Sequence, residues 1–112
     1  MTLFFDYVRY KAFQDERLHC CYHIPNEGKA SIQRRLALAR AGVKKGIPDI
    51  CVPIANEKYH ALYIELKVKP NKPTVAQKEV IEHLNKLGNY ATVCYSGSEA
   101  IQTLERYLEN AL

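Results

Sequence analysis

Apolar positions first recur at helical spacing: Leu3, Phe4, Tyr7 and Val8 share one side of a helix that fills about the first dozen residues. A polar run, Gln14 to Arg17, separates it from the mixed apolar segment Leu18 to Ile24, which ends at Pro25 and reads as a short strand. Asn26-Glu27-Gly28 turns the chain. A second helix fits from about Ala30 to Ala41, with Gly42 as its C-terminal stop. The stretch Gly46 to Ile54 then reads as a turn delivering the chain into a buried strand, and a turn over Ala55 to Lys58 makes a hairpin with the strand Tyr59 to Val68.

The period of two in that strand sets Tyr63, Glu65 and Lys67 on one face and Leu62, Ile64 and Leu66 on the other. After the loop Pro70-Asn71-Lys72-Pro73, Thr74 is the N-cap of a helix from about Val75 to Leu87, whose apolar face is Val80, Ile81, Leu84 and Leu87 and whose stop is Gly88. Tyr90 to Tyr95 is a third apolar strand. Ser96-Gly97-Ser98-Glu99 offers a capping box to a last helix that turns Ile101, Leu104 and Leu108 inward. The path from Lys67 through a helix to Tyr95 has the length of a crossover between parallel, adjacent strands. The expected fold is therefore α/β, a mixed sheet flanked by helices in the order α-β-α-β-β-α-β-α.

Length and composition add one bound: 112 residues, 47% hydrophobic and 25% charged, suit a single ordinary globular domain spanning 1–112. No apolar run approaches the ~18 residues of a membrane span, and no secretory signal is evident, so a soluble intracellular protein with free thiols is expected. Cys20, Cys21, Cys51 and Cys94 match no zinc-site spacing, and Cys51 and Cys94 sit in apolar runs as small hydrophobes.

Charge changes the picture more. The net charge of +4 is modest, yet from Gly28 to Pro48 there is no acid, while Lys29, Arg34, Arg35, Arg40, Lys44 and Lys45 are all basic. Such a block suits a solvated helix face or a phosphate-backbone binder.

Glu65 and Lys67 interrupt an otherwise apolar strand on its one face, and Asp49 opens the partner strand of the hairpin. The spacing of Glu65 and Lys67 alone fits an ordinary ion pair. An aspartate and a glutamate brought together repel unless a cation lies between them, which suits a hard ion such as Mg²⁺, with the carbonyl of Leu66 as a further oxygen ligand. A metal there polarises a phosphate, and Lys67 orients water or balances developing charge. The Pro48-Asp49 dipeptide, the apolar frame around the charges and Gln77 near the start of the next helix favour this reading over the ion pair.

With these pieces in place the chain resembles the VRR-NUC (virus-type replication-repair nuclease) domain of the PD-(D/E)xK nuclease superfamily. The matching residues are Ile24-Pro25-Asn26, Gly42 to Asp49, Leu62 to Lys67, Thr74-x-x-Gln77, and the tail from Gly97 to Leu108. Its compactness is similar to the stand-alone phage and prophage members rather than the nuclease module of a large Fanconi-associated repair enzyme. The resemblance implies a restriction-endonuclease-like core. It implies catalytic Asp49, Glu65, Lys67 and Gln77, with Asp49, Glu65 and the Leu66 carbonyl holding Mg²⁺ or Mn²⁺. It also implies a homodimeric endonuclease that cuts branched, Holliday-junction-like DNA in viral replication or repair, in the cytoplasm of a bacterial or phage-infected cell. Phosphate contacts are expected from Lys29, Arg34, Arg35, Lys44, Lys45, Lys69 and Lys72, and His23 stands beside the family-like Ile24-Pro25-Asn26.

The family usually carries another acid on its first helix, upstream of the positions matched by Phe4 and Phe5; Asp6, Glu16 and Glu27 are the substitutes this chain offers. Two other functions stay open: a DNA-binding module without turnover, and a sequence-specific restriction endonuclease, for which the chain has no obvious recognition insert.

Overall fold

The computed structural model describes residues 1–25 and 31–112. Helix α1 (Thr2–Lys11) leads through a 3-10 turn (Glu16–Cys20) to strand β1 (Tyr22–His23), then α2 (Ile32–Arg40), β2 (Ile50–Val52), β3 (Leu62–Leu66), α3 (Val75–Lys86), β4 (Tyr90–Cys94) and α4 (Gly97–Leu108). The order is the one expected. The four strands form one mixed sheet in the order β1-β2-β3-β4, antiparallel up to β3, with β3 and β4 parallel. The hairpin and the crossover both stand as the sequence indicated.

Ile50 lies across from Ile64 and Val52 from Leu62, and these four are fully buried with Cys94 under α1 and α4. On that side Phe4, Val8, Ala100, Leu104 and Tyr107 complete the core. α3 packs against β4 on the opposite face, where Ile81 and Asn85 approach Val93. α2 buries none of its residues, and Ile32 and Leu36 remain exposed along it.

Several boundaries differ from expectation for identifiable reasons. The segment read as a strand from Leu18 begins inside the 3-10 turn and is strand only at Tyr22–His23, because the Asp15 side chain accepts from Arg17 N (3.2 Å) and Leu18 is the one residue that turn buries. β3 starts at Leu62 rather than Tyr59: Asn56 Oδ1 accepts from Lys58 N (2.9 Å) and Tyr59 N (2.8 Å), which holds those residues in a turn. In α1 the buried residues are Phe4 and Val8, while Leu3 is exposed. α3 buries no residue fully, and Leu87 is exposed, since only one side of the helix meets β4. Glu99 accepts from Tyr95 N (3.0 Å) instead of closing the expected box onto Ser96, although Ser96 does cap Glu99 N (3.0 Å).

Tyr107, absent from the apolar face expected for the last helix, is the largest fully buried side chain. Its hydroxyl donates to Ile54 O at 2.7 Å, and Asn56 Nδ2 donates to Tyr107 O at 2.9 Å. Tyr107 thus ties α4 to the segment between β2 and β3. Tyr107→Phe leaves the Ile54 carbonyl without this donor in a dry core, and is expected to cost about 1 to 3 kcal/mol. Urea denaturation checks this: an unchanged midpoint would show that the hydroxyl contributes nothing.

Candidate active site

The β2–β3 register ends with Ile50 across from Ile64, and Asp49 just before Ile50 lies beside Glu65 just after Ile64. Both side chains therefore emerge on the α3 side of the sheet, opposite the core, because neighbouring residues of a strand alternate faces. Asp49 is held at three points. Its carbonyl accepts from Ile24 N (2.6 Å) and lies 3.0 Å from His23 Nδ1, and its Oδ2 accepts from Leu66 N (3.0 Å). A carbonyl only accepts, so His23 carries its proton on Nδ1. His23, which stands beside the family-like Ile24-Pro25-Asn26, is placed by the structure in a hydrogen bond to the backbone of Asp49.

Glu65 is 2% exposed. Its Oε2 meets Lys67 Nζ at 3.5 Å and Gln77 Nε2 at 3.4 Å, whereas its Oε1 is buried with no hydrogen-bond partner. Lys67 lies one residue beyond β3, but its N–H donates to Cys94 O (2.8 Å), so the ladder fixes its direction. The ion pair suggested by the spacing is thus present, as one component of a larger arrangement. Burial, and then the neighbouring Asp49 carboxylate, push the Glu65 carboxyl up to about 7, with Lys67 opposing them.

Gln77 reaches the site from the first turn of α3, where it also forms a capping box with Thr74: Gln77 N donates to Thr74 Oγ1 (3.2 Å) and Thr74 N donates to Gln77 Oε1 (2.9 Å). Gly46 packs on the same turn. It has φ +89°, and a Cβ there would lie 2.7 Å from Ala76 O, 2.8 Å from Ala76 C and 3.1 Å from Gln77 N. The segment leading into Asp49 and the helix bearing Gln77 are therefore in direct backbone contact, a relation the sequence did not reveal.

Two opposed carboxylates, a buried carboxylate oxygen without a donor and a carboxyl group kept from ionising are the features a hard divalent cation would satisfy. The Leu66 N–H points to the β2 side, and in an extended strand the carbonyl of the same residue points to that side too, so Leu66 O is directed toward Asp49. The donors present fit a metal ion. Among the described residues no group of three or more His, Cys, Asp or Glu side chains comes together. Asp6 pairs with Arg9 (3.1 Å) on the exposed side of α1, and Glu16 is exposed at the start of the 3-10 turn, so neither supplies a further acid; Glu27 lies outside the described residues.

The basic residues are less tightly gathered. Lys44 and Lys45 are exposed in the turn that docks on α3, and Lys72 is exposed just before its N-cap. Lys69 is exposed beyond Lys67, with Nζ 5.7 Å from the centre of the Tyr95 ring. Arg34 and Arg35 are exposed on α2, and Lys29 lies outside the described residues.

The chain matches the model of the VRR-NUC domain over residues 2–98. It belongs to that family. A solved structure described as a VRR_NUC domain protein is 29% identical, with a TM-score of 0.72, covering 93% of this chain and 87% of that one. No curated protein shows significant similarity to the chain. Membership in the VRR-NUC family supports a nuclease function, and nucleases of this superfamily typically use divalent metals. Among the described residues no helix of this VRR-NUC chain is long and apolar enough to cross a membrane.

Proposed function

We infer that this VRR-NUC chain is a metal-dependent endodeoxyribonuclease, a single domain over 1–112 that acts as a homodimer on structured or branched DNA in viral replication or repair. The observation that carries the reading is Glu65 itself: a buried carboxylate whose Oε2 is held by Lys67 and Gln77 while Oε1 stays without a partner, with Asp49 opposite. Only one oxygen is held, and the other is left buried without a donor.

Asp49, Glu65 and the Leu66 carbonyl would hold Mg²⁺ or Mn²⁺, which supplies Lewis acidity toward a phosphate oxygen and a water of lowered pKa. Asp49 keeps its place through Leu66 N, Ile24 N and His23. Lys67, largely buried yet anchored by its backbone, is the catalytic lysine: its ammonium orients the attacking water or balances charge on the phosphorane. Gln77 is auxiliary and steadies the Glu65 carboxylate. Lys44, Lys45, Lys69 and Lys72 flank this constellation and would contact the phosphodiester backbone, joined by Lys29, Arg34 and Arg35 from the preceding basic block. A homodimer offers two such sites for two strands of one junction.

A four-way junction and a duplex of the same sequence, incubated with Mg²⁺ or Mn²⁺ and with EDTA, test this reading. Cutting is expected on the junction, none in EDTA, and with Lys67→Ala a loss of about 10²- to 10³-fold. Cleavage that survives EDTA, or a Lys67→Ala protein as active as the parent, would sink it. The second reading is a DNA-binding module without turnover, favoured by the presence of only two carboxylates at the site among the described residues. It predicts salt-sensitive junction binding in calorimetry and no product at any metal concentration.

A further inference from the structure

We propose that Thr74 is a positioning residue for the nuclease site, acting through Gln77 to decide which oxygen of Glu65 is presented to the metal; this rests on the nuclease reading above.

The two ends of the Gln77 side-chain amide are held by different partners. Gln77 Oε1 receives the backbone N–H of Thr74 at 2.9 Å, and Gln77 Nε2 lies 3.4 Å from Glu65 Oε2. A backbone N–H only donates, so the group facing Thr74 must be the amide oxygen, and the NH₂ must then face Glu65. The capping box removes the flip that would otherwise leave Gln77 free to turn its oxygen toward the carboxylate, where it would repel. The box is reciprocal: Thr74 Oγ1 accepts from Gln77 N at 3.2 Å, and this bond sets the first turn of α3 in which the amide is anchored.

The consequence falls on Glu65. Lys67 and Gln77 both meet the same oxygen, Oε2, which turns Oε1 into the buried space with no protein partner. The carboxylate is therefore presented one oxygen at a time, and the side that is occupied is set by Thr74, whose backbone N–H orients the Gln77 amide and whose hydroxyl holds the turn that carries it. In metal sites, residues that orient a ligand typically contribute about 10- to 100-fold in affinity or activity. Thr74 belongs to that class, whereas its position at a helix start would otherwise mark it only as a cap.

Thr74→Val keeps the shape and removes the hydroxyl; Thr74→Ser keeps the hydroxyl. Three measurements separate positioning from simple capping. In single-turnover and steady-state cleavage of a junction, Thr74→Val is expected to lose about tenfold in kcat with KM for DNA nearly unchanged, and Thr74→Ser to match the parent. Mn²⁺ calorimetry without DNA is expected to show the same loss in Thr74→Val and the same rescue in Thr74→Ser. In NMR spectra of the metal-free protein, the Gln77 side-chain NH₂ signals are expected to move to solvent-exposed positions in Thr74→Val alone. A Thr74→Val protein with the parent's kcat and Mn²⁺ affinity, unmoved Gln77 signals, or a Thr74→Ser protein as impaired as Thr74→Val would overturn the proposal. If the parent cuts no DNA with any metal, the nuclease reading fails, and the NMR comparison still decides whether Thr74 orients Gln77.

Discussion

Glu65→Gln is expected to lower DNA cleavage by at least about a thousandfold, ~4 kcal/mol of barrier, while leaving the protein folded and more stable above neutral pH. The loss of activity follows from the charge: a neutral amide cannot take its share in holding a divalent cation against Asp49. The gain in stability follows from burial. The folded protein holds Glu65 almost without water and across from another carboxylate, which raises its carboxyl from the ordinary 4.5 to about 7. Between those two pH values the folded state binds a proton that the unfolded chain lacks. The Glu65 contribution to the stability of the metal-free protein is therefore most favourable below about 4.5, is lost as pH rises through the window, and becomes a full penalty above about 7, on the order of 1 to 3 kcal/mol. Glutamine does not titrate, so that slope is absent in Glu65→Gln. Melting temperatures at pH 5 and pH 8 in EDTA, for parent and variant, read it directly. Mn²⁺ added at pH 8 is expected to raise the parent's melting temperature and leave the variant's unchanged. Equal pH slopes in the two proteins, or retained cleavage by the variant, would refute the role given to Glu65.

The second large effect belongs to Gly46→Ala. Its backbone sits at φ +89°, where an L side chain is strained, and the added carbon would lie within 3 Å of the Ala76 carbonyl carbon and oxygen. Neither obstacle is the far end of a flexible side chain: both are helix backbone. Either α3 or the segment from Gly46 to Asp49 must shift, at a cost of about 2 to 4 kcal/mol. Because one of these partners carries Gln77 and the other leads into Asp49, cleavage should fall with stability. Gly42→Ala is the comparison. Gly42 also has positive φ, +102°, but a Cβ there meets nothing within 4 Å, so only the conformational penalty of about 1 to 2 kcal/mol remains. Urea midpoints and junction cleavage for the two variants should separate clearly. If Gly46→Ala proves as mild as Gly42→Ala, the backbone contact has no energetic weight.

Much of the fold was legible because the periodicities were strong and the stops were clear. β2, β3, β4 and the three long helices α1, α3 and α4 appear where alternating or helical patterns place them, and Thr74 and Ser96 cap the helices assigned to them. Strand ends were less legible: the turn at Asn56 and the 3-10 turn at Glu16–Cys20 arise from side-chain bonds to backbone that no hydrophobic period encodes. The burial of Tyr107 was missed for a related reason. Its value to the core lies in a hydroxyl that finds Ile54 O across the fold, about which a pattern of apolar residues is silent.

For the candidate site the division is similar. The sequence by itself determined that Glu65 and Lys67 share a strand face, that Asp49 heads the partner strand, and that Gln77 lies in the first turn of the next helix. Strand alternation and helix capping are local rules, and they read directly from spacing. Only the tertiary structure decided that Asp49 comes to lie beside Glu65, that Glu65 is buried with one oxygen held and the other unpartnered, and that Gly46 brings the Asp49 segment onto the turn that carries Gln77. Those facts depend on sheet register and on the docking of α3 against the β2 lead-in, which are long-range contacts. The charge state of Glu65 follows from them, because a carboxyl answers to the water and the charges around it, and both are set by the packed fold.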